Sequence, residues 1–252
     1  MRVLIIRHGD PDYVNDTVTA RGKTEAELLA ERLCKENIMN VYISPLGRAL
    51  ATAAPYLAKA DTPAQTVEFL REFAHTIELP YKSSQSVPWD LLPSYYAQQE
   101  MLLDRKLWFE NEAMAKSGVY EKYRKVCKDF DELLAQHGYE RDGLIYKAVR
   151  PNKDTIAFIC HFGIEAVLLS HLFNCAPHVL WQNMIALPTS VTTLYTEERR
   201  EGTVSFRCCG FSDCSHLYAN GVKPSPAGRF CETFDADDRN VDPDYQVSVE
   251  ER

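Results

Sequence analysis

Two histidines, His8 and His161, each follow an apolar run and stand close before a glycine, in Leu4-Ile5-Ile6-Arg7-His8-Gly9 and Ile156-Ala157-Phe158-Ile159-Cys160-His161-Phe162-Gly163. Arg7 abuts the first, and a second arginine closes the run Val41-Tyr42-Ile43-Ser44-Pro45-Leu46-Gly47-Arg48. Each feature alone is ordinary. A lone histidine after a strand is more often structural than catalytic, and an arginine at a helix start is more often solvated. Together the four side chains are a different proposition. Two cations and two imidazoles can surround a doubly charged phosphoryl group and attack it with a ring nitrogen.

That chemistry needs elements that bring the four to one place. Met1 to Ile6 is short, apolar and rich in branched residues, the pattern of a buried strand. The carboxyl ends of strands are where open α/β sheets put their ligand crevices, and Gly9 lets backbone approach closely there. Thr155 to Cys160 repeats the design ahead of His161. Pro45 suits a helix start, which places Arg48 in the first turn. The helix dipole disfavours a cation at that end, and an anion held between Arg48 and the free N–H groups would reverse the penalty.

The rest of the chain supplies the scaffold. Helical periodicity runs from Gly22 to Asn37, with Ala26, Leu29, Ala30 and Leu33 on one face. A strand at Val41–Ile43, a helix from about Leu46 to Lys59 and a strand from Gln65 to Leu70 follow. After Thr155–Cys160 come a helix from Gly163 to Phe173 and strands near Val191–Tyr195 and Thr203–Phe211. Alternating strands and helices predict an α/β fold, a three-layer α/β/α arrangement with a mostly parallel central sheet. Residues 73–150 interrupt the rhythm and read as a helical lid insertion, with helices near Tyr95–Lys116 and Val119–His137 and a hairpin at Asp142-Gly143. From 221 to 252 the chain is polar and broken by prolines, a surface tail on one domain spanning 1–252.

Composition sets the outer bounds. The 252 residues are 45% apolar and 25% charged, with a net charge of −8, which argues against a broad nucleic-acid footprint. No stretch reaches the roughly 18 apolar residues needed to span a bilayer, and the first hydrophobic run ends at Arg7, so a cytoplasmic protein with no membrane partner is expected. Of the eight cysteines, Cys34, Cys127, Cys160 and Cys175 read as small buried hydrophobes. Cys208, Cys209, Cys214, His216 and Cys231 cluster more closely but lack the paired spacing of a zinc site.

With these motifs in order, the sequence resembles the histidine phosphatase superfamily, the branch that includes the cofactor-dependent phosphoglycerate mutases. Arg7-His8-Gly9 is similar to its signature triplet. Ser44-Pro45-Leu46 with Arg48-Ala49 and Thr52-Ala53 is similar to its second motif, and His161 to its second histidine. Thr19, Arg21-Gly22 and Ala26 resemble its early turn and helix. The likeness runs from Met1 to Leu70 and from Asp154 to Leu217. It implies that His8 is the nucleophile and is transiently phosphorylated, and that Arg7, Arg48 and His161 hold the phosphoryl oxygens. Because those groups supply the positive charge, it implies neither a metal nor another cofactor. It also implies a carboxylic acid just after the third strand, where Glu72 stands, with Glu78 as runner-up.

The chain departs from the family pattern in its first loop. Pro11 replaces a common Ser or Thr, and Asn15 sits one residue from the register of the family's phosphate-touching Asn. Phe162 replaces a Gly often found after the second histidine, although Gly163 follows. Asp10, Asn15 and Gly163 are therefore candidates for a substrate loop. The Asp10-Pro11-Asp12 stretch is acidic, and no extra basic groups for retaining a bisphosphate stand out, although Arg71, Lys82, Arg105 and Lys106 can reach a second anion. The expected activity is metal-independent hydrolysis of a small phosphorylated metabolite. The alternatives are a mutase-type phosphotransferase, a silent phospho-ligand binder and, less favoured, a metallohydrolase using His8 and His161.

Overall fold

The computed structural model describes residues 1–233. Its strands are β1 (Arg2–Arg7), β2 (Pro11–Asp12), β3 (Thr17–Val18), β4 (Ile38–Ile43), β5 (Ala64–Thr66), β6 (Tyr139–Asp142), β7 (Ile145–Ala148), β8 (Thr155–Cys160), β9 (Val191–Arg200) and β10 (Thr203–Asp213). Its α-helices are α1 (Ala20–Leu33), α2 (Gly47–Lys59), α3 (Pro93–Tyr96), α4 (Glu112–Ser117), α5 (Val119–Gln136), α6 (Phe162–Phe173), α7 (Pro177–Trp181) and α8 (Ser215–Tyr218).

Eight strands form one sheet in the order β5-β4-β8-β1-β9-β10-β7-β6. β5, β4, β8 and β1 are parallel neighbours, whereas β9 and β7 pair antiparallel with every strand they touch. Six of the eight therefore run one way, the α/β arrangement expected. Alternation along the central strands sorts their side chains to two cores. Val3, Ile5, Ile156 and Phe158 join Phe130, Leu134, Val167 and Trp181 on one face. Leu4, Ile6, Ala157 and Ile159 join Leu29, Leu33, Ala49 and Ala53 of α1 and α2 on the other. Helices on both faces explain why β8 is buried at every position and reads as an unbroken apolar run.

Two expected elements take other forms. The strand expected over Gln65–Leu70 is only β5, followed by a 3₁₀ turn at Glu68–Leu70 that buries Leu70 and turns the chain toward the sheet's carboxyl edge. The helix expected over Tyr95–Lys116 is divided into α3, two 3₁₀ turns and α4. Asp104 accepts the Lys106 N–H at 2.6 Å and Asn111 accepts the Ala113 N–H at 3.1 Å, side-chain bonds that compete with a continuous helix.

Among the expected buried cysteines, Cys127 and Cys160 are buried and Cys175 is half-buried, but Cys34 at the end of α1 is exposed. All eight are free thiols. No helix among the described residues is long and apolar enough to cross a membrane. The expected tail lies within the described residues only from 221 to 233, and 234–252 fall outside them.

Candidate active site

β1 and β8 are parallel neighbours with Arg7 beside Cys160, so the residues that follow them emerge side by side. The His8 N–H donates to the Cys160 carbonyl at 2.9 Å. The His8 and His161 rings face each other with centroids 5.0 Å apart at 56°. Both are almost fully buried, as is Arg7.

His8 Nδ1 lies 2.7 Å from the Gly9 carbonyl. A carbonyl can only accept, so Nδ1 carries the proton and Nε2 keeps its lone pair. Nε2 lies 3.4 Å from Arg48 Nε. Burial, and then the Arg7 cation, hold the His8 pKa well below its usual value, against the pull of the Gly9 carbonyl. The ring is therefore neutral at physiological pH, with the Nε2 lone pair retained. Gly9 is itself tied down, its N–H donating at 2.9 Å to the buried Thr52 hydroxyl on α2.

His161 caps the start of α6. Its Nε2 shares a 2.7 Å hydrogen bond with the buried Ser44 hydroxyl, while Nδ1 is buried without a partner among the described residues. Burial, followed by the neighbouring His8, Arg48 and Arg7, pushes its pKa far down. Arg7 donates through Nη1 to the carbonyls of Ala186 at 2.5 Å and Ala227 at 3.1 Å, leaving Nε unpartnered among the described residues. Arg7 Nε and His161 Nδ1 are thus buried polar atoms whose bonding a bound anion could complete.

Glu72 follows the 3₁₀ turn and sits over the start of α6. Its Oε1 accepts from the N–H groups of Phe73 at 2.7 Å and Ile164 at 3.1 Å. Burial raises its pKa above the ordinary range, and the Phe73 N–H and the Arg7 cation only partly offset this. Such a group can hold a proton and give it up. Gly163 makes room for it. A Cβ there would lie 2.6 Å from Glu72 Oε1 and 2.7 Å from Trp89 Nε1.

The structure thus brings Arg7, His8, Arg48, His161, Glu72 and Gly163 together. Three other candidates go elsewhere. Asn15 is exposed and donates to Asp12 at 2.8 Å. Its neighbour Asp16 reaches Arg48 instead, at 2.7 Å. Asp10 turns away from the cluster to accept from the Thr19 hydroxyl at 2.6 Å and from the Ser225 hydroxyl. Glu78 is exposed. Of the insertion's aromatics, Trp108 is core, Tyr81 packs on Tyr95, and Trp89 stands beside Gly163 at the site. Sequence reasoning passed over Lys122 on α5, whose Nζ lies 5.3 Å from the Phe73 ring centroid. Burial lowers its pKa, and the Glu72 carboxylate opposes that fall. On an amphipathic helix a lysine reads as solvated face, so no local signal marks it.

The family model for the histidine phosphatase superfamily, branch 1, matches residues 3–208. This chain belongs to that superfamily. Among curated relatives of this histidine phosphatase, the Schizosaccharomyces pombe protein named Probable phosphatase C1687.21 is 24% identical over 232 residues, covering 86% of this chain and 95% of its own length. The fold is similar to that of Entamoeba histolytica phosphoserine phosphatase, solved as a histidine-to-alanine mutant in complex with phosphoserine. The TM-score is 0.56 at 17% identity, covering 86% of this chain and 98% of that one. It is also similar to a mycobacterial glucosyl-3-phosphoglycerate phosphatase, with a TM-score of 0.54 at 19% identity, covering 84% and 98%. Among the described residues, no group of three or more His, Cys, Asp and Glu side chains is arranged to hold a metal ion.

Proposed function

We propose that this histidine phosphatase hydrolyses a small phosphomonoester, without a metal ion, through a phosphohistidine at His8. One observation carries the reading: Nδ1 of His8 is committed to the Gly9 carbonyl while Nε2 lies beside the Arg48 guanidinium. In the first step Nε2 attacks phosphorus, the ester P–O bond breaks, and the departing oxygen takes its proton from Glu72. In the second, Glu72 accepts a proton from water as the water oxygen attacks phosphorus. The N–P bond then breaks, restoring His8 and releasing inorganic phosphate. Arg7, Arg48 and His161 stabilise the charge on the transferring group, the term that dominates phosphoryl transfer.

The substrate class follows from the charges around the cluster. Asp16 already shares Arg48, and Arg71, which acts on His161, pairs with Glu68 at 2.5 Å. Such pairing disfavours retention of a bisphosphate and favours a hydrolase over a mutase. Lys122, beside the acid, suits a leaving group that carries one further negative charge. Related folds solved with phosphoserine and 3-phosphoglyceric acid accord with that class.

The test is turnover of an aryl phosphate in excess chelator, with His8→Ala beside the wild type. Activity that survives chelator and disappears with His8 is expected. Loss of wild-type activity on chelation would transfer the reaction to a metallohydrolase. A folded, inactive wild type that interconverts phosphoglycerates would mark a mutase, and one that only binds phosphate a silent ligand-binding protein.

A further inference from the structure

The chain returns to its own first loop after α8, and the return ends on Arg7. Arg21 donates to the Lys223 carbonyl at 2.7 Å. The Ser225 N–H donates at 3.1 Å to Oε1 of Glu25, a fully buried carboxylate whose Oε2 accepts the Asp10 N–H at 2.9 Å. The Ser225 hydroxyl donates to Asp10 Oδ1 and accepts the Ala227 N–H at 3.1 Å. Ser225 is only 2% exposed. The turn so fixed presents the Ala227 carbonyl to Arg7 Nη1 at 3.1 Å. Next along, Gly228 (φ +101°) lies so close to the guanidinium that any Cβ would collide with Nη1.

We propose that residues 223–229 are a positioning strap for the phosphate site, with Ser225 as its latch and Ala227 and Gly228 as its contact with Arg7. The inference rests on the reading of Arg7 as a phosphoryl ligand. A long arginine held by one carbonyl, that of Ala186, can still swing. A second carbonyl from a different part of the chain, on the same Nη1, holds the guanidinium whose buried Nε is left unpartnered among the described residues. Preorganisation of that kind raises transition-state stabilisation without adding a new group to the reaction. Glycine is required at 228 twice over, by the positive φ and by the guanidinium packed on it. The strap also accounts for Asp10 of the first loop, which with Glu25 of α1 holds the chain's return.

The test compares Ser225→Ala and Gly228→Ala with wild type. The readouts are aryl phosphate kinetics, inorganic phosphate affinity by calorimetry, and melting temperature. Removing the Ser225 hydroxyl leaves the Ser225 N–H bond to Glu25 intact. Both variants should keep a cooperative melt, lose kcat/KM and phosphate affinity by roughly 10- to 100-fold, the scale of an ångström's misplacement, and retain the wild-type pH profile. Wild-type kinetics and phosphate affinity in folded Ser225→Ala would overturn the strap, whatever becomes of Gly228→Ala. If wild type itself does not turn over, the phosphatase reading fails separately. The strap is then decided by phosphate affinity alone, His8→Ala against His8→Ala with Ser225→Ala. Equal affinities reject it, and a drop of the stated size supports it.

Discussion

Asp16 bridges Arg48 and the start of α2, one carboxylate oxygen accepting from Arg48 Nη1 at 2.7 Å and the other from the Gly47 N–H at 2.7 Å. A cation in a first helical turn is disfavoured by the dipole, and the chain answers this with its own anion. Burial opposes ionisation of Asp16, but the Gly47 N–H and Arg48 outweigh it and hold the carboxyl below its ordinary pKa. The charge is therefore present whenever a phosphoryl group arrives. Asp16→Asn keeps the size of the side chain and removes the repulsion, about 1 kcal/mol for unit charges 4 Å apart in water. Its amide can accept only one of the two bonds that the carboxylate accepts. We expect KM for an aryl phosphate to fall roughly five-fold, with kcat little changed. A rise in KM in steady-state kinetics would mean that the ion pair chiefly orients Arg48.

Glu72 has to be protonated to serve the leaving oxygen, and its pKa is raised. Activity should therefore fall as pH rises through that raised value. The neutral form of His8, whose pKa is depressed, should impose no acid limb near pH 6.5. Glu72→Gln should lower kcat on an alkyl phosphate by about 10²- to 10⁴-fold, flatten the alkaline limb, and cost less on an aryl phosphate whose leaving group needs little protonation. An unchanged alkaline limb in the variant's pH–rate profile would assign the acid to another group.

Gly163→Ala tests whether the space beside the acid matters. The added methyl would meet Glu72 Oε1 and Trp89 Nε1 at under 3 Å. Glu72 must then shift, and kcat should fall roughly 10- to 100-fold while far-UV circular dichroism stays native. Wild-type kcat would show that Glu72 acts from a different position.

How much of this was legible in the sequence depended on distance along the chain. Arg7, His8 and His161 stand at the ends of, or directly after, short apolar runs rich in branched residues that read as buried strands, so their convergence could be read locally. Ser44 and Arg48 gained meaning from the turn that Pro45 announces. The one-residue offset of Asn15 was legible, but that Asp16 would take its place at Arg48 was not, since Asp16 adopts a positive φ (45°) that no local signal announces. Ser225 and Asp10 are 215 positions apart, and nothing periodic in a proline-broken segment points to a buried latch. The division of the expected helix over Tyr95–Lys116 escaped notice because side-chain bonds from Asp104 and Asn111 overrode helix-forming composition.

Two buried groups make stability depend on pH in opposite directions. Glu165, in the first turn of α6, is pushed up to about 8 by burial, against the Thr192 hydroxyl and Arg7. Its folded pKa lies above its unfolded one, so its contribution is full below about pH 4.5 and is lost as pH rises through 8. Glu165→Gln should therefore be more stable than wild type at pH 8 by a few kcal/mol, at about 1.4 kcal/mol per pH unit of that window, and equal to it at pH 4. His178, buried between Trp108 and Trp181, is pushed down to about 3 by burial. Its contribution is present above pH 6.5 and lost as pH falls toward 3, so His178→Leu should narrow the acid loss. Denaturant unfolding across pH 4 to 9 checks both signs.

The most direct test of the central claim is to quench wild-type enzyme during turnover of an aryl phosphate in chelator and analyse the intact protein and its peptides by mass spectrometry. The account predicts a gain of one phosphoryl group that is acid-labile, alkali-stable, confined to the peptide containing His8 and absent from His8→Ala. Turnover with no such adduct under rapid quench, or an adduct on any other residue, would contradict it.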